Sequence, residues 1–146
     1  MAHALVALKS LDRVKTRLAP LLTPEERSAL ARAMAADVLS TLVGHPAVEN
    51  VTLITDYPAA ASLASECGAS CWSERELGGS GLNELLALAS ARVDSGQVVL
   101  LHADLPLLSG ADIGAALALQ SARGGLLIAP DRHGLGTNLL AYRAGQ

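Results

Sequence analysis

Two stretches of this chain are apolar without interruption, Ala4-Leu-Val-Ala-Leu8 and Val98-Val-Leu-Leu101. A strand with one face in water alternates apolar and polar residues, so an unbroken run marks a strand covered on both faces, as in a parallel sheet packed between helices. Parallel neighbours need a crossover between them, and the sequence supplies helical segments at the right places. Thr23-Pro24-Glu25-Glu26 reads as an N-cap, a first-turn proline and a capping-box glutamate, followed by Leu30, Met34, Val38 and Leu42 every four residues. Gly44 and Pro46 stop that helix.

The alternation continues. Val51 to Thr55 reads as a second strand, Pro58 to Glu66 as a short helix ended by Gly68, and Ala69 to Trp72 as a short third strand. A glycine loop, Gly78 to Gly81, leads into a helix from Leu82 to about Val93, and Gly96 precedes the Val98 run. Ser109 with Asp112 caps a helix to about Ala122, Leu126 to Ala129 is a fifth strand, and Leu139 to Tyr142 follows a polar loop over 130–138 as a last one. Strands alternating with helices predict one three-layer α/β domain over residues 1–146 with a mostly parallel sheet.

Composition narrows the function. Half of the residues, 51%, are hydrophobic but only 2% are aromatic and none is Phe, so bases of a single-stranded nucleic acid have almost nothing to stack on. A net charge of −3 is the wrong sign for nonspecific binding of a polyanion, which argues against nucleic acid as a partner. No apolar stretch approaches the roughly 20 residues that cross a bilayer, and the first residues lack the regions of a secretion signal, so a cytoplasmic location with no membrane partner is expected. Cys67 and Cys71, spaced C-x3-C without a His cluster or a second cysteine pair, read as small apolar fillers rather than zinc ligands.

Ligands of open α/β sheets bind beyond the carboxyl ends of the strands, so the segments that follow strands hold the candidate chemistry. The first, Lys9 to Arg17, carries four positive charges and one negative, which leaves −6 for the rest of the chain. It reads either as a solvated loop or as an anion site, in which Lys and Arg clamp phosphates and neutralise charge that develops in phosphoryl transfer. Neither G-x4-G-K-[ST] nor G-x-G-x-x-G is present. The second is Asp104, which either starts the turn at Pro106 or anchors a magnesium ion that takes its other ligands from phosphates and water. His102 reads as a packed strand-end histidine. The third is Gly79-Ser-Gly-Leu-Asn83, a plain chain turn or a close backbone approach to a base or ribose, with Asn83 offering a donor and an acceptor to a base edge. After the fifth strand, Thr137 and Asn138 either belong to a glycine-rich turn or bind a small anionic acceptor.

These segments, Lys9-Ser-Leu-Asp-Arg-Val-Lys-Thr-Arg-Leu-Ala-Pro20, Gly81-Leu-Asn83, Ala103-Asp-Leu-Pro-Leu-Leu108 and Ala129 to Asn138, stand in an order that resembles the 2-phospho-L-lactate guanylyltransferase family from Leu5 to Leu140. The resemblance implies a GT-A-like nucleotidyltransferase fold. It also implies transfer of GMP from GTP, with magnesium as cofactor, to 2-phospho-L-lactate, phosphoenolpyruvate or a related phosphoacid, releasing pyrophosphate in the biosynthesis of the deazaflavin coenzyme F-420. Carried over position by position, it implies that Lys9, Lys15 and Arg17 hold the GTP phosphates, that Gly81 and Asn83 lie against guanosine, that Asp104 is a magnesium ligand, and that Thr137 and Asn138 meet the acceptor. Lys15, Arg17 and Asp104 are then the catalytic set.

The family continues past the position of Gln146 with an acceptor loop and a terminal strand whose second acidic residue completes the metal site. The domain is therefore expected to be short by that C-terminal strand, and an open sheet edge would favour a homodimer. Two rival readings keep the fold. One is a nucleotide-binding or interaction protein without turnover; the other is a nucleotidyltransferase for another acceptor such as molybdopterin or a sugar phosphate.

Overall fold

The computed structural model describes residues 1–8, 18–79 and 81–145 of the chain. Four strands run parallel: β1 (Ala2–Ala7), β2 (Val48–Ile54), β3 (Ser70–Trp72) and β4 (Gln97–His102). Two more complete the sheet, β5 (Leu127–Pro130) and β6 (Thr137–Arg143), with β6 antiparallel to both β4 and β5. The order is β3-β2-β1-β4-β6-β5, so the mostly parallel sheet expected from the apolar runs is present, with β1 and β4 at its centre. After β1 the chain builds outward to β2 and β3, then returns to the other side of β1 as β4. The connections leaving β1 and β4 thus diverge, and a crevice opens at that switch point.

Side-chain parity along the strands separates two cores. Ala4, Val6, Leu53, Val99 and Leu101 point to one face, where α1 (Pro24–Val43), α2 (Pro58–Cys67) and α5 (Gly110–Arg123) cover them with Ala35, Leu39, Leu63, Ile113 and Leu117. Leu5, Ile54, Val98 and Leu100 point to the other, where α3 (Glu74–Leu77) and α4 (Leu82–Ser90) supply Leu77, Leu85 and Ala89. Both faces are helix-covered, as unbroken apolar strands demand, but unequally. Leu53 and Leu39 are fully buried, and truncating either to Ala would cost about 2–5 kcal/mol.

The helix starts follow the sequence signals. The Glu26 amide donates to Thr23 Oγ1 at 3.2 Å and the Thr23 amide to Glu26 Oε1 at 2.9 Å, a complete capping box ahead of α1. Ser109 and Asp112 form the same reciprocal pair ahead of α5. His45 joins these two helices: its Nδ1 accepts from the Ala47 amide, which leaves Nε2–H to donate to the Gly110 carbonyl at 3.0 Å.

Several expected boundaries are corrected. Leu30 is 37% exposed, and the buried stripe of α1 begins at Ala31. A four-residue spacing drifts about 40° around a helix per step, which carries its first member off the core face. The helix expected to reach Val93 ends at Ser90, β2 begins at Val48 rather than Val51, and β6 begins at Thr137, inside the stretch expected to be loop. The short α3 has no counterpart in the sequence reading, because four residues show no period. Among the described residues, no helix is long and apolar enough to cross a membrane.

Candidate functional site

The carboxyl ends of β1, β2 and β4 lie along one edge of the sheet, and antiparallel β6 brings its amino end to the same edge. Its register pairs Leu139 with Leu101, which carries Thr137 and Asn138 beyond Leu101 toward the segment that follows β4. Among the described residues, a cavity opens there on either side of the first turn of α4.

The first cavity, about 250 Å³, lies beyond β1 and β2. Ala7, Leu8 and Ile54 form its floor, and Gly81, Leu82, Leu85 and Leu86 form one wall. Among the described residues that line it, Glu74 contributes the one polar side chain. Gly81 is the N-cap of α4 with φ 83° and ψ 158°, a conformation almost restricted to glycine, so the residue type at this turn is dictated by the backbone. The segment that carries Glu74 is pinned to the end of β2. Ser73 Oγ donates to Asp56 Oδ1 at 2.6 Å and the Arg75 amide to the same oxygen at 3.1 Å. The hydrogen bond from Ser73, with the Arg75 amide second, holds the Asp56 carboxyl below its ordinary value.

The second cavity, about 90 Å³, is a narrow groove between α4 and the β4–β6 pair. Asn83, His102, Thr137 and Asn138 line it, together with Leu82 and Leu86, which also border the first cavity. Thr137 and Asn83 are exposed, while Asn138 and His102 are partly buried. Asp104 is exposed two residues beyond the end of β4. A wider apolar groove of about 540 Å³ adjoins on the far side of Asn138, between Leu105 to Leu108 and the face of α5 that carries Asp112 and Ala116.

The structure thus brings Asn83, His102, Thr137 and Asn138 together, with Asp104 following β4 at the same edge. Gly81 and Asn83, which the resemblance set against one ligand, line adjoining cavities that share Leu82 and Leu86. Lys9, Lys15 and Arg17 lie outside the described residues. Among the described residues no group of three or more His, Cys, Asp or Glu converges as a cation cage. Magnesium does not require one, since it binds through one or two carboxylates and completes its shell with phosphate and water, so Asp104 fits the demand of that ion. Asp131, by contrast, is committed to its own loop. Its Oδ1 accepts from the amides of His133 and Leu135, each at 3.1 Å. Desolvation opposes ionisation there, but the amides of Leu135, Gly136, His133 and Gly134 outweigh it and hold the carboxyl below its ordinary value.

The sequence reading missed Glu74 and its clamp on Asp56. The available signal was the S-x-x-E spacing of Ser73 and Glu76, which announces a helix start. The structure uses it differently, with Ser73 Oγ accepting from the Arg75 amide at 3.2 Å. Nothing local could show that the turn faces β1.

Comparison with known proteins bears on this arrangement. The family described as "Guanylyl transferase CofC like" matches residues 2–146. A phosphoenolpyruvate guanylyltransferase of Rhodococcus opacus (strain B4) is 38% identical over 95% of this chain and 64% of that protein. A 3-phospho-D-glycerate guanylyltransferase of Phenylobacterium zucineum (strain HLK1) is also 38% identical, over 99% of this chain and 68% of its own length. The chain therefore spans about two thirds of the curated relatives it matches. In fold, it is similar to the crystal structure of a nucleotide-diphospho-sugar transferase candidate from Desulfovibrio desulfuricans G20, with TM-score 0.77 and 21% identity over 98% of this chain and 63% of that one.

Proposed function

Because this chain belongs to the CofC-like guanylyltransferase family, we propose that it transfers GMP from GTP to a small phosphoacid, phosphoenolpyruvate or a close relative, and releases pyrophosphate. The observation that carries the reading is the pair of cavities divided by the first turn of α4: a slot for a base whose one polar side chain among the described residues is Glu74, and a leucine-walled groove where Asn83, His102, Thr137 and Asn138 can meet a small acid. Relatives named for two acceptors, phosphoenolpyruvate and 3-phospho-D-glycerate, support a phosphoacid as the acceptor class. The donor GTP, a cytoplasmic location and a place in coenzyme F-420 biosynthesis are parts of the same proposal.

The chemistry needs little beyond placement. An oxygen of the acceptor phosphate attacks the α-phosphorus of GTP and forms a new P–O bond, while the bond from that phosphorus to the bridging oxygen of the β-phosphate breaks and pyrophosphate leaves. The attacking phosphate is already anionic, so no general base is required; orientation and neutralisation of charge govern the rate. Lys9, Lys15 and Arg17 are assigned to the donor phosphates, and Gly81 to close approach of the nucleoside. Thr137 and Asn138, with a hydroxyl and an amide on one groove, are assigned to the acceptor. Asn83 lines that same groove and is reassigned from the base to the space between acceptor and α-phosphate. Asp104 would hold magnesium, which supplies charge neutralisation for the transferring group when bound.

Incubation with GTP, magnesium and, separately, phosphoenolpyruvate, 2-phospho-L-lactate and 3-phospho-D-glycerate tests the reading through pyrophosphate release. Release with at least one acceptor is expected. GTP binding without release with any of them would instead favour a binding protein of this fold without turnover.

A further inference from the structure

Taking the guanosine donor from the preceding reading, we propose that the Glu74 carboxylate selects guanine over adenine by accepting hydrogen bonds from the edge of the base.

Among the described residues, the side chains that line the first cavity are apolar apart from Glu74. Ile54, Leu82, Leu85 and Leu86 offer flat hydrophobic contact that any purine would accept equally, so they carry no discrimination. Among the described residues, Glu74 is the one lining side chain able to tell bases apart. An ionised carboxylate only accepts, and its two oxygens offer about four lone-pair sites, so it can receive two parallel N–H groups and still serve another neighbour. Guanine presents such a pair, the ring N1–H and the exocyclic 2-amino group. Adenine sets a bare ring nitrogen beside its amino group, and a carboxylate oxygen facing that lone pair is repelled. Hypoxanthine keeps the N1–H but lacks the 2-amino group.

Discrimination also needs a fixed carboxylate. The residues on both sides of Glu74 are tied to one atom of Asp56, through Ser73 Oγ at 2.6 Å and the Arg75 amide at 3.1 Å, and Leu77, three residues on, is buried against the sheet. The backbone of Glu74 is thereby anchored at the end of β2. Asp56 acts through Glu74 and is a positioning residue.

The test is displacement of a fluorescent GTP analogue by GTP, ITP and ATP, on the unaltered chain and on Glu74→Gln, with melting curves for both. The unaltered chain should bind GTP about tenfold or more tightly than ITP, since one hydrogen bond to a charged acceptor is lost, and ATP more weakly still. Gln presents one acceptor and one donor, a pattern that suits adenine, so Glu74→Gln should lower the GTP-over-ATP preference by about 10- to 100-fold without shifting the melting curve. An unchanged preference in the variant overturns the role of Glu74 and leaves the donor reading intact. Should the variant fail to fold, the GTP-to-ITP ratio of the unaltered chain decides, and equal binding overturns the role. Binding of none of the three overturns the donor reading and this one with it.

Discussion

The two cavities on either side of α4 share a wall and differ in size and in the polar side chains they present. Leu82 and Leu86 border both, yet among the described residues one cavity sets strand ends and leucines around a single carboxylate, and the other sets Asn83, His102, Thr137 and Asn138 among leucines of α4, β4 and β6. The larger has room for a flat ring system; the smaller fits a few polar atoms. The difference follows from topology. Parallel β1 and β2 end in apolar residues that extend the core to the edge, while antiparallel β6 starts at that edge and presents the polar residues of its first turn of chain. One inserted strand direction is enough to set two sites with different polar side chains side by side, as the proposed joining of a nucleotide to a small acid requires.

Substitutions at the edge should separate the two sites. The largest effect is expected for Asp104→Asn, which should lower pyrophosphate release by about 100-fold or more while thermal stability is unchanged. An unaffected rate would remove the metal role of Asp104. Next, Thr137→Val keeps the β-branched shape but deletes the hydroxyl; it should raise the acceptor KM about tenfold and leave GTP affinity alone. Equal loss for donor and acceptor would merge the two cavities into one site. Gly81→Ala should destabilise the chain by about 1–3 kcal/mol through its φ of 83°, and should weaken GTP more than the acceptor.

The smallest effect concerns pH. The Asp56 carboxyl lies below its ordinary value of 3.8 through its bonds to Ser73 and Arg75, so its stabilising contribution is complete above that value and is lost as pH falls through the lower folded value. Thermal melting between pH 5 and the acid limit should therefore decline less steeply for Asp56→Asn than for the unaltered chain. Identical slopes would mean that the clamp beside Glu74 contributes nothing.

Much of the fold was legible because its signals are local. Unbroken apolar runs gave the buried strands, and the Thr23–Glu26 and Ser109–Asp112 pairs, each a residue and its partner three positions on, marked the starts of α1 and α5. The site was legible only in part. Asp104 and the Thr137-Asn138 pair are conspicuous because polar residues next to a strand need a reason. Glu74 is one of two glutamates in Ser73-Glu-Arg-Glu76, and its place depends on β2 lying beside β1 and on Asp56 reaching across 17 positions to Ser73. The division between Gly81 and Asn83 was equally hidden, since two residues apart at a helix start point to different sides of the helix, and only the packing of α4 on the sheet decides what each side faces.

The most direct test of two ligands on two sides of α4 is a backbone amide shift map of the 146-residue chain, titrated separately with GTP and with phosphoenolpyruvate in the presence of magnesium. GTP should move the signals of Leu8, Ile54, Glu74 and Gly81, and phosphoenolpyruvate those of Asn83, Thr137, Asn138 and Leu139. Both ligands moving the same set, or the phosphoacid moving Ile54 and Glu74 while Thr137 and Asn138 stay still, would contradict the division on which the proposed reaction rests.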